Sequence, residues 1–193
     1  MPIPKILVIP GSLRTGSHNV RLAALAAREF ALVGAEVTRI SLLDYPLPLF
    51  DPETYDADGL PRNAVLLQRM MQAHQGIFIT TPEYTASVTA LLKNTIDWLS
   101  RARTRTEPSY AAFKDRVFAI GAASAGAGGG VRALMALRQI LELGCGALVI
   151  PEQISVAGAA SAFDDNDGLK DDGLAARLKA LVQRHVDLAR AIT

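Results

Sequence analysis

Apolar residues along the chain gather into five short runs, with stretches of helical spacing between them. Ile3 to Ile9 is the first run. Behind it Val20, Ala23, Ala24, Ala27, Phe30 and Ala31 recur on one helical face, so a buried strand feeds an amphipathic helix. Glu36 to Leu42 alternates around Val37 and Ile40 after Gly34, a helix-stopping glycine, and predicts a second strand. A helix over Ala64 to His74 leads into a third strand, Gly76 to Thr80, and Thr81 to Thr85 turns the chain into a helix carrying Val88, Leu92, Ile96 and Leu99. Val117 to Ile120 is the fourth strand, and the helix after it puts Val131, Leu134, Leu137 and Leu141 on one side. Ala147 to Ile150 is the fifth. A final helix buries Leu174, Leu178, Leu181 and Leu188, with His185 on the same stripe. Two segments break the rhythm: Asp44 to Asn63, with Pro46, Pro48, Pro52 and Pro61, reads as an extended loop without regular helix, and Pro151 to Gly173 also reads as loop.

Strands alternating with helices in this way predict an α/β domain spanning residues 1–193: a doubly wound five-stranded parallel sheet with helices on both faces, joined by right-handed crossovers. A chain of this length buries about 70% of its unfolded surface, enough to cover both faces. The segments rich in glycine and hydroxyl groups all follow strands 1, 3 and 4. In the flavodoxin-like strand order 2-1-3-4-5 those strand ends converge at the switch between strands 1 and 3, where ligands bind.

The chemistry concentrates in Pro10 to Asn19. A helix opening at Ser17 to Asn19 turns free N–H groups and the positive end of its dipole toward the loop, and Ser12, Arg14, Ser17 and Asn19 are candidate donors to an anion. A Walker loop needs a lysine, and none lies between Lys5 and Lys93; a dinucleotide fingerprint needs three glycines, and only Gly11 and Gly16 are there. Two readings remain: capture of one terminal phosphate, as in a mononucleotide, or a plain loop with a Ser17 helix cap.

Charge and composition narrow the partner. A net charge of +1 without a basic stripe excludes a nucleic-acid footprint, leaving a small molecule. Cys145 stands alone, so there is no internal disulfide and no cysteine-based zinc site, and no metal is expected. With no signal segment and no apolar run long enough to span a bilayer, no membrane association is expected and the expected location is cytoplasmic. Arg101, Arg103 and Arg105 follow a helix and serve its C-terminal carbonyls or meet an anion. Asp164 to Gly168 echoes a calcium loop, but Phe163 and Leu174 fall where the first and last ligands belong, so it reads as a solvated turn.

Four motifs in order resemble one family: Gly-Ser-Leu-Arg-x-x-Ser-x-Asn at Gly11 to Asn19, Thr-Pro-Glu-Tyr at Thr81 to Tyr84, Leu-Lys-Asn-x-Ile-Asp-Trp-Leu-Ser-Arg at Leu92 to Arg101, and Gly-Gly-x-Arg at Gly129 to Arg132 with Leu-Arg-Gln at Leu137 to Gln139. They are similar to the NADPH-dependent FMN reductases, whose members include quinone, chromate and azo-dye reductases. The resemblance implies that Ser12, Arg14, Ser17 and Asn19 hold the FMN phosphate with His18 behind them. Pro82, Glu83, Tyr84 and Thr85 would line the flavin ring through main-chain groups, and Ser124 with Gly126 would close its other side. It further implies that NADPH or NADH is the electron donor, and a quinone or similar small molecule the acceptor in a ping-pong cycle. The flavin would carry the chemistry without a catalytic side chain, in a homodimer or homotetramer with the Pro-rich loop and the Arg101 region near subunit contacts. Many members carry Asn in place of Thr85 and Pro-Gly in place of Thr89-Ala90. Two competing readings are a flavodoxin-type electron carrier and a serine hydrolase built on Ser124, Asp164 and His185, the serine lying in Ala122-Ala123-Ser124-Ala125-Gly126.

Overall fold

Alternate residues of the first strand, β1 (Lys5–Pro10), face opposite ways: Ile6 and Val8 enter one apolar cluster, Leu7 and Ile9 the other. That two-sided burial marks a central strand in a sheet covered on both faces. The computed structural model describes residues 3–104 and 106–192; Arg105, the last of the three arginines considered as anion ligands, lies outside them. β2 (Glu36–Arg39), β3 (Gly76–Thr80), β4 (Val117–Ala123) and β5 (Leu148–Val156) complete a sheet of order β2-β1-β3-β4-β5 in which every pairing is parallel. The predicted flavodoxin-like topology is therefore the observed one.

Helices α1 (His18–Leu32) and α6 (Asp172–Ile192) cover one face, joining Leu22, Phe30, Leu178 and Val182 to Ile6, Val8 and Phe78. The other face takes α3 (Arg62–Gln72), α4 (Ala90–Arg101) and α5 (Val131–Gln139), through Leu67, Met71, Leu92, Ile96, Leu134 and Leu137.

Three sequence expectations are corrected. The segment Asp44 to Asn63 contains a helix, α2 (Pro52–Asp58), because Pro52 sits at its first position, where no N–H is needed, and the Asp51 carboxylate accepts from the N–H groups of Glu53 and Thr54. The rest of that segment is pinned to α4: Trp98 Nε1 and Asn94 Nδ2 both donate to Pro48 O, at 2.8 and 2.9 Å. The fifth strand does not stop at Ile150 but runs through Pro151 to Val156. As an edge strand it shifts register opposite Phe118 to Ile120, and the irregularity accommodates a residue without an N–H. Val131, expected on the buried face of its helix, is 40% exposed, because α5 begins there and turns Ala133, Leu134 and Leu137 inward.

Asp164 to Gly168 is the solvated turn expected: Asp164 Oδ1 accepts from Asn166 N and Gly168 N, both at 2.8 Å, and Arg21 pairs with Asp167. Among the described residues no cluster of His, Cys, Asp or Glu is placed to hold a metal, and no helix is long and apolar enough to cross a membrane.

His185 is fully buried at the N-terminal end of the strands, against the first residue of β4. Its Nε2 lies 2.9 Å from Val117 O, its ring stands edge-on to Phe30 at 5.4 Å, and a Cβ on Gly76 would come within 2.9 Å of that nitrogen. Burial drives its pKa from 6.5 down to about 4, so the folded protein holds it neutral. The unfolded chain binds the proton first as pH falls. Stability is thus whole above pH 6.5 and drops by on the order of 3 kcal/mol as pH falls toward 4. Urea unfolding of wild type and His185→Leu at several pH values should show the variant losing that slope; parallel slopes would refute the assignment.

Candidate functional site

The C-terminal ends of β1, β3 and β4 open into three loops that are bonded to one another. Gly11 N donates to Thr80 O at 2.7 Å, an approach that a Cβ would obstruct, since it would lie 3.0 Å from both that oxygen and Leu92 Cδ2. Thr89, the N-cap of α4, donates its hydroxyl to Gly11 O at 2.9 Å while accepting from Leu92 N at 3.1 Å. Asn19 reaches across to the end of β4: its Nδ2 donates to Ala123 O at 2.8 Å and its Oδ1 accepts from Ala123 N at 2.9 Å. Thr80 Oγ1 then donates to Asn19 O at 2.9 Å. Asn19 was expected to donate to an anion. Its carboxamide spends its oxygen and one of its two N–H donors on Ala123, so it orients the loop.

The loop itself is built to receive negative charge. Ser17 caps α1, accepting from Asn19 N at 3.3 Å, which leaves its hydroxyl proton free. Among the described residues, the N–H groups of Leu13, Thr15, Gly16 and His18 have no partner in the chain. Ser12 and Ser17 are buried nonetheless. The guanidinium of Arg14 folds over the loop, donating to Thr15 O and Gly16 O at 3.4 and 3.2 Å. His18 Nδ1 is buried without a partner, and its pKa is lowered by burial first and by Arg14 and Arg21 after that, so the ring stays neutral beside the arginine.

The loop after β3 is held from the far side. Glu83 accepts from Arg132 Nε at 2.7 Å and from Arg132 N, in the first turn of α5, at 3.2 Å; the Arg132 hydrogen bond keeps its carboxyl below the usual range. Tyr84 and Ser87 exchange N–H···O bonds of 3.0 Å around Thr85 and Ala86, whose φ values of 49° and 61° make a two-residue turn of the left-handed type.

These loops enclose a hollow of about 370 Å³. Ser12, Arg14, Ser17, His18, Asn19, Pro82, Glu83, Tyr84 and Ser124 all line it, together with Ala123 and Ala125. Thr85 and Gly126 do not: Thr85 sits at the turn beyond Tyr84, and Gly126 lies past the wall with its carbonyl accepting from Gly129 N and Gly158 N. The two alanines carry no chemical signal in the sequence beyond their place around Ser124. Free N–H groups, two buried serines and a guanidinium together fit a phosphate ester.

The serine hydrolase constellation does not assemble. His185 bonds Val117 at the start of β4 and Ser124 follows its end, which puts them roughly 20 Å apart at 3.3 Å per residue. Asp164 meanwhile bonds within its own turn.

Residues 4–161 match the family described as NADPH-dependent FMN reductase. The chain belongs to that family. It is 35% identical to an NAD(P)H-dependent FMN reductase of Pseudomonas aeruginosa over 184 residues, 94% of this chain and 91% of the other. A quinone reductase of Escherichia coli is 34% identical over 138 residues, 71% and 69% of the two chains. Among solved structures the flavoenzyme NAD(P)H:(acceptor) oxidoreductase FerB of Paracoccus denitrificans superposes with a TM-score of 0.80, covering 98% of each chain at 23% identity, a likeness of fold. As a member of the FMN reductase family the chain is an oxidoreductase.

The Tyr84–Ser87 turn stores strain, since an L-residue pays roughly 1–2 kcal/mol in the left-handed region and glycine does not. Ala86→Gly should therefore raise stability by about 1 kcal/mol. Thr89→Ala, which removes the α4 cap and leaves Gly11 O without its hydroxyl partner, should lower it by about 1–2 kcal/mol. Chemical denaturation measures both; the opposite sign in either would contradict the geometry.

Proposed function

We propose that this protein transfers electrons from NADPH or NADH to quinones or similar small acceptors, chromate, azo dyes and free flavin among the candidates, with FMN as its bound cofactor. The observation that carries the reading is the convergence of three strand-end loops on one hollow with an anion cradle at its end. Ser12 and Ser17 would hold the FMN phosphate with the free N–H groups of their loop, and Arg14 would neutralise it. His18 would back the loop, its pKa lowered by burial and by Arg14 and Arg21. Pro82, Glu83 and Tyr84 on one side and Ala123, Ser124 and Ala125 on the other would line the ring.

When bound, FMN supplies the hydride and electron chemistry itself, so the chain needs to position the ring rather than provide an acid or base. That matches Glu83, the carboxylate on the wall of the hollow, which is committed to an ion pair with Arg132. One open cleft would serve donor and acceptor in turn, a ping-pong order. Mixing the FMN-loaded protein with NADPH or NADH in a stopped-flow instrument should bleach the flavin absorption; no bleaching with either nucleotide would defeat the reading. The alternative of a flavodoxin-type electron carrier is less well supported by a near-neutral chain of net charge +1, and turnover of a quinone without a partner protein separates the two.

Assembly as a homodimer or homotetramer is part of the same reading. Supporting it, Val131, Met135 and Leu143 are exposed, and Leu143 borders an open groove of about 520 Å³ with Ala136 and Ile140. Leu43 and Leu49, on the Pro-rich segment, are exposed as well. A cytoplasmic location is likewise proposed, with small molecules rather than nucleic acid or membrane as partners.

Removing the Ser17 hydroxyl deletes a hydrogen bond to a charged group, so Ser17→Ala should weaken FMN binding about 10- to 150-fold, or about 1.5–3 kcal/mol. Loss of the α1 cap should lower the stability of the flavin-free protein by about 1 kcal/mol. A flavin fluorescence titration with unchanged affinity would remove Ser17 from the phosphate site.

A further inference from the structure

The arginines that follow α4 have no place in the cleft. α4 starts there, where Thr89 bonds Gly11 O, and its 12 residues carry Arg101 about 17 Å away along the helix axis. Arginines in this position commonly serve the last carbonyls of the helix. Here the main chain takes Trp98 O and Leu99 O through Ala102 N, and neither Arg101 nor Arg103 bonds to them.

Both arginines instead line a separate hollow of about 190 Å³, completed by Tyr55, Ser100, Ser109 and Tyr110. No carboxylate lines it. The Arg101 guanidinium rests over the Phe50 ring, 5.8 Å from its centre, and has no hydrogen bond or ion pair among the described residues, so all five of its N–H groups are open. Arg103 spends one, on Glu107 O at 3.5 Å. Among the described residues the hydroxyls of Tyr55, Ser109 and Tyr110 have no partner either, whereas Ser100 donates to Asp97 O at 2.6 Å and can only accept. The nearby acids are occupied: Asp51 caps α2, and the Glu107 carboxylate accepts from Thr104 N, Gln68 Nε2 and Gln72 Nε2. That last set ties the loop carrying Arg103, Ser109 and Tyr110 to α3. Tyr110 is also held at φ 61°, a backbone strain of the kind that collects at ligand sites. Two guanidiniums thus share one small hollow in which the chain supplies no counter-charge.

We infer that this hollow binds a phosphate group, as the free ion or as the head of a small phosphomonoester, between Arg101 and Arg103 and within reach of the Tyr55, Ser109 and Tyr110 hydroxyls. A carboxylate offers two oxygens in one plane. The donors here come from α2, from the end of α4 and from the loop after it, and the three or more acceptor oxygens of a phosphate can meet them together. Sites for drug-sized ligands begin at about 300 Å³, so this hollow takes a phosphate head and not a nucleotide. The inference is independent of the reductase reading, because the FMN cradle lies at the other end of α4.

The test is calorimetric titration with inorganic phosphate at pH 8, where the ion is doubly charged, in a phosphate-free buffer with FMN in excess to fill the other cradle. One equivalent should bind. Arg101→Gln and Arg103→Gln should each weaken it about 10- to 150-fold, as expected for loss of a hydrogen bond between charged groups, and Tyr110→Phe, which keeps the ring, should weaken it as well. Arg28→Gln, an equal change of net charge on α1, should leave it within about twofold. Glycerol 3-phosphate in place of phosphate separates the two sources: comparable affinity identifies an ester head, and binding of inorganic phosphate alone identifies the free ion. Absence of binding, or an equal loss in Arg28→Gln, would overturn the site. So would a wild-type protein that ignores phosphate while Arg101→Gln and Arg103→Gln dissociate an oligomer in sedimentation, since the arginines would then meet a carboxylate of a second copy. If FMN itself fails to bind, the Arg103→Gln titration still tells this hollow from the cradle.

Discussion

The constraint on which the site depends is the pair of hydrogen bonds between the Asn19 carboxamide and the main chain of Ala123. β4 reaches Ala123 beyond the end of β3, whose pairing stops at Thr80 with Gly121. On that side the last N–H and C=O of a buried central strand have lost their neighbour. A carboxamide presents one donor and one acceptor at the spacing of a peptide group and stands in for the missing strand. No other side chain of its length does both: aspartate lacks the donor and leucine lacks both. Each buried backbone group left without a partner would cost about 1–3 kcal/mol, so the first turn of α1 is fixed to the end of β4 by a strong penalty for separation.

From that joint the rest of the cleft is assembled in steps. Thr80 Oγ1 on Asn19 O brings β3 into the same network, Gly11 N on Thr80 O sets the height of the first loop, and Thr89 on Gly11 O brings in α4. The third loop is held through Glu83, whose carboxylate grips Arg132 on α5. With its own turns fixed by these bonds, the first loop keeps its remaining N–H groups free without collapsing onto them. A preorganised donor set is what makes a helix N-terminus useful for phosphate, because the dipole alone supplies only about 0.3–2 kcal/mol.

Periodicity was enough to find the five strands and the helices that cover them, because two-sided burial of β1, β3 and β4 writes continuous apolar runs and the covering helices write stripes. It failed where one local residue outweighed the pattern. Pro52 reads as a breaker until Asp51 is seen capping the turn it begins, and Pro151 reads as the end of a strand until its edge position and the register shift opposite are known. The hollow itself was legible from chemistry and position at Ser12, Arg14 and Ser17, and through the family resemblance at His18 and Glu83. Asn19 was legible as a site residue but its bond to β4 was not, since nothing in the chain says that a strand 104 residues away runs two residues past its neighbour. Ala123 and Ala125 were not legible at all, because a wall made by small side chains shows only in three dimensions.

The two histidines near the sheet show how position divides stability from function. His185 and His18 are both held neutral by burial, and both leave Nδ1 without a partner. His185 is sealed at the N-terminal pole of the strands among Phe30, Gly76 and Val117, where a protonation opposes folding and no ligand can reach it. His18 is at the C-terminal pole, on the wall of a hollow, beside a guanidinium that disfavours its charged form. The same electrostatic condition therefore produces a pH-dependent stability term at one end of the sheet and an imidazole that adds little charge behind the anion loop at the other. What separates them is the direction of the parallel strands, which delivers every loop of the site to one end.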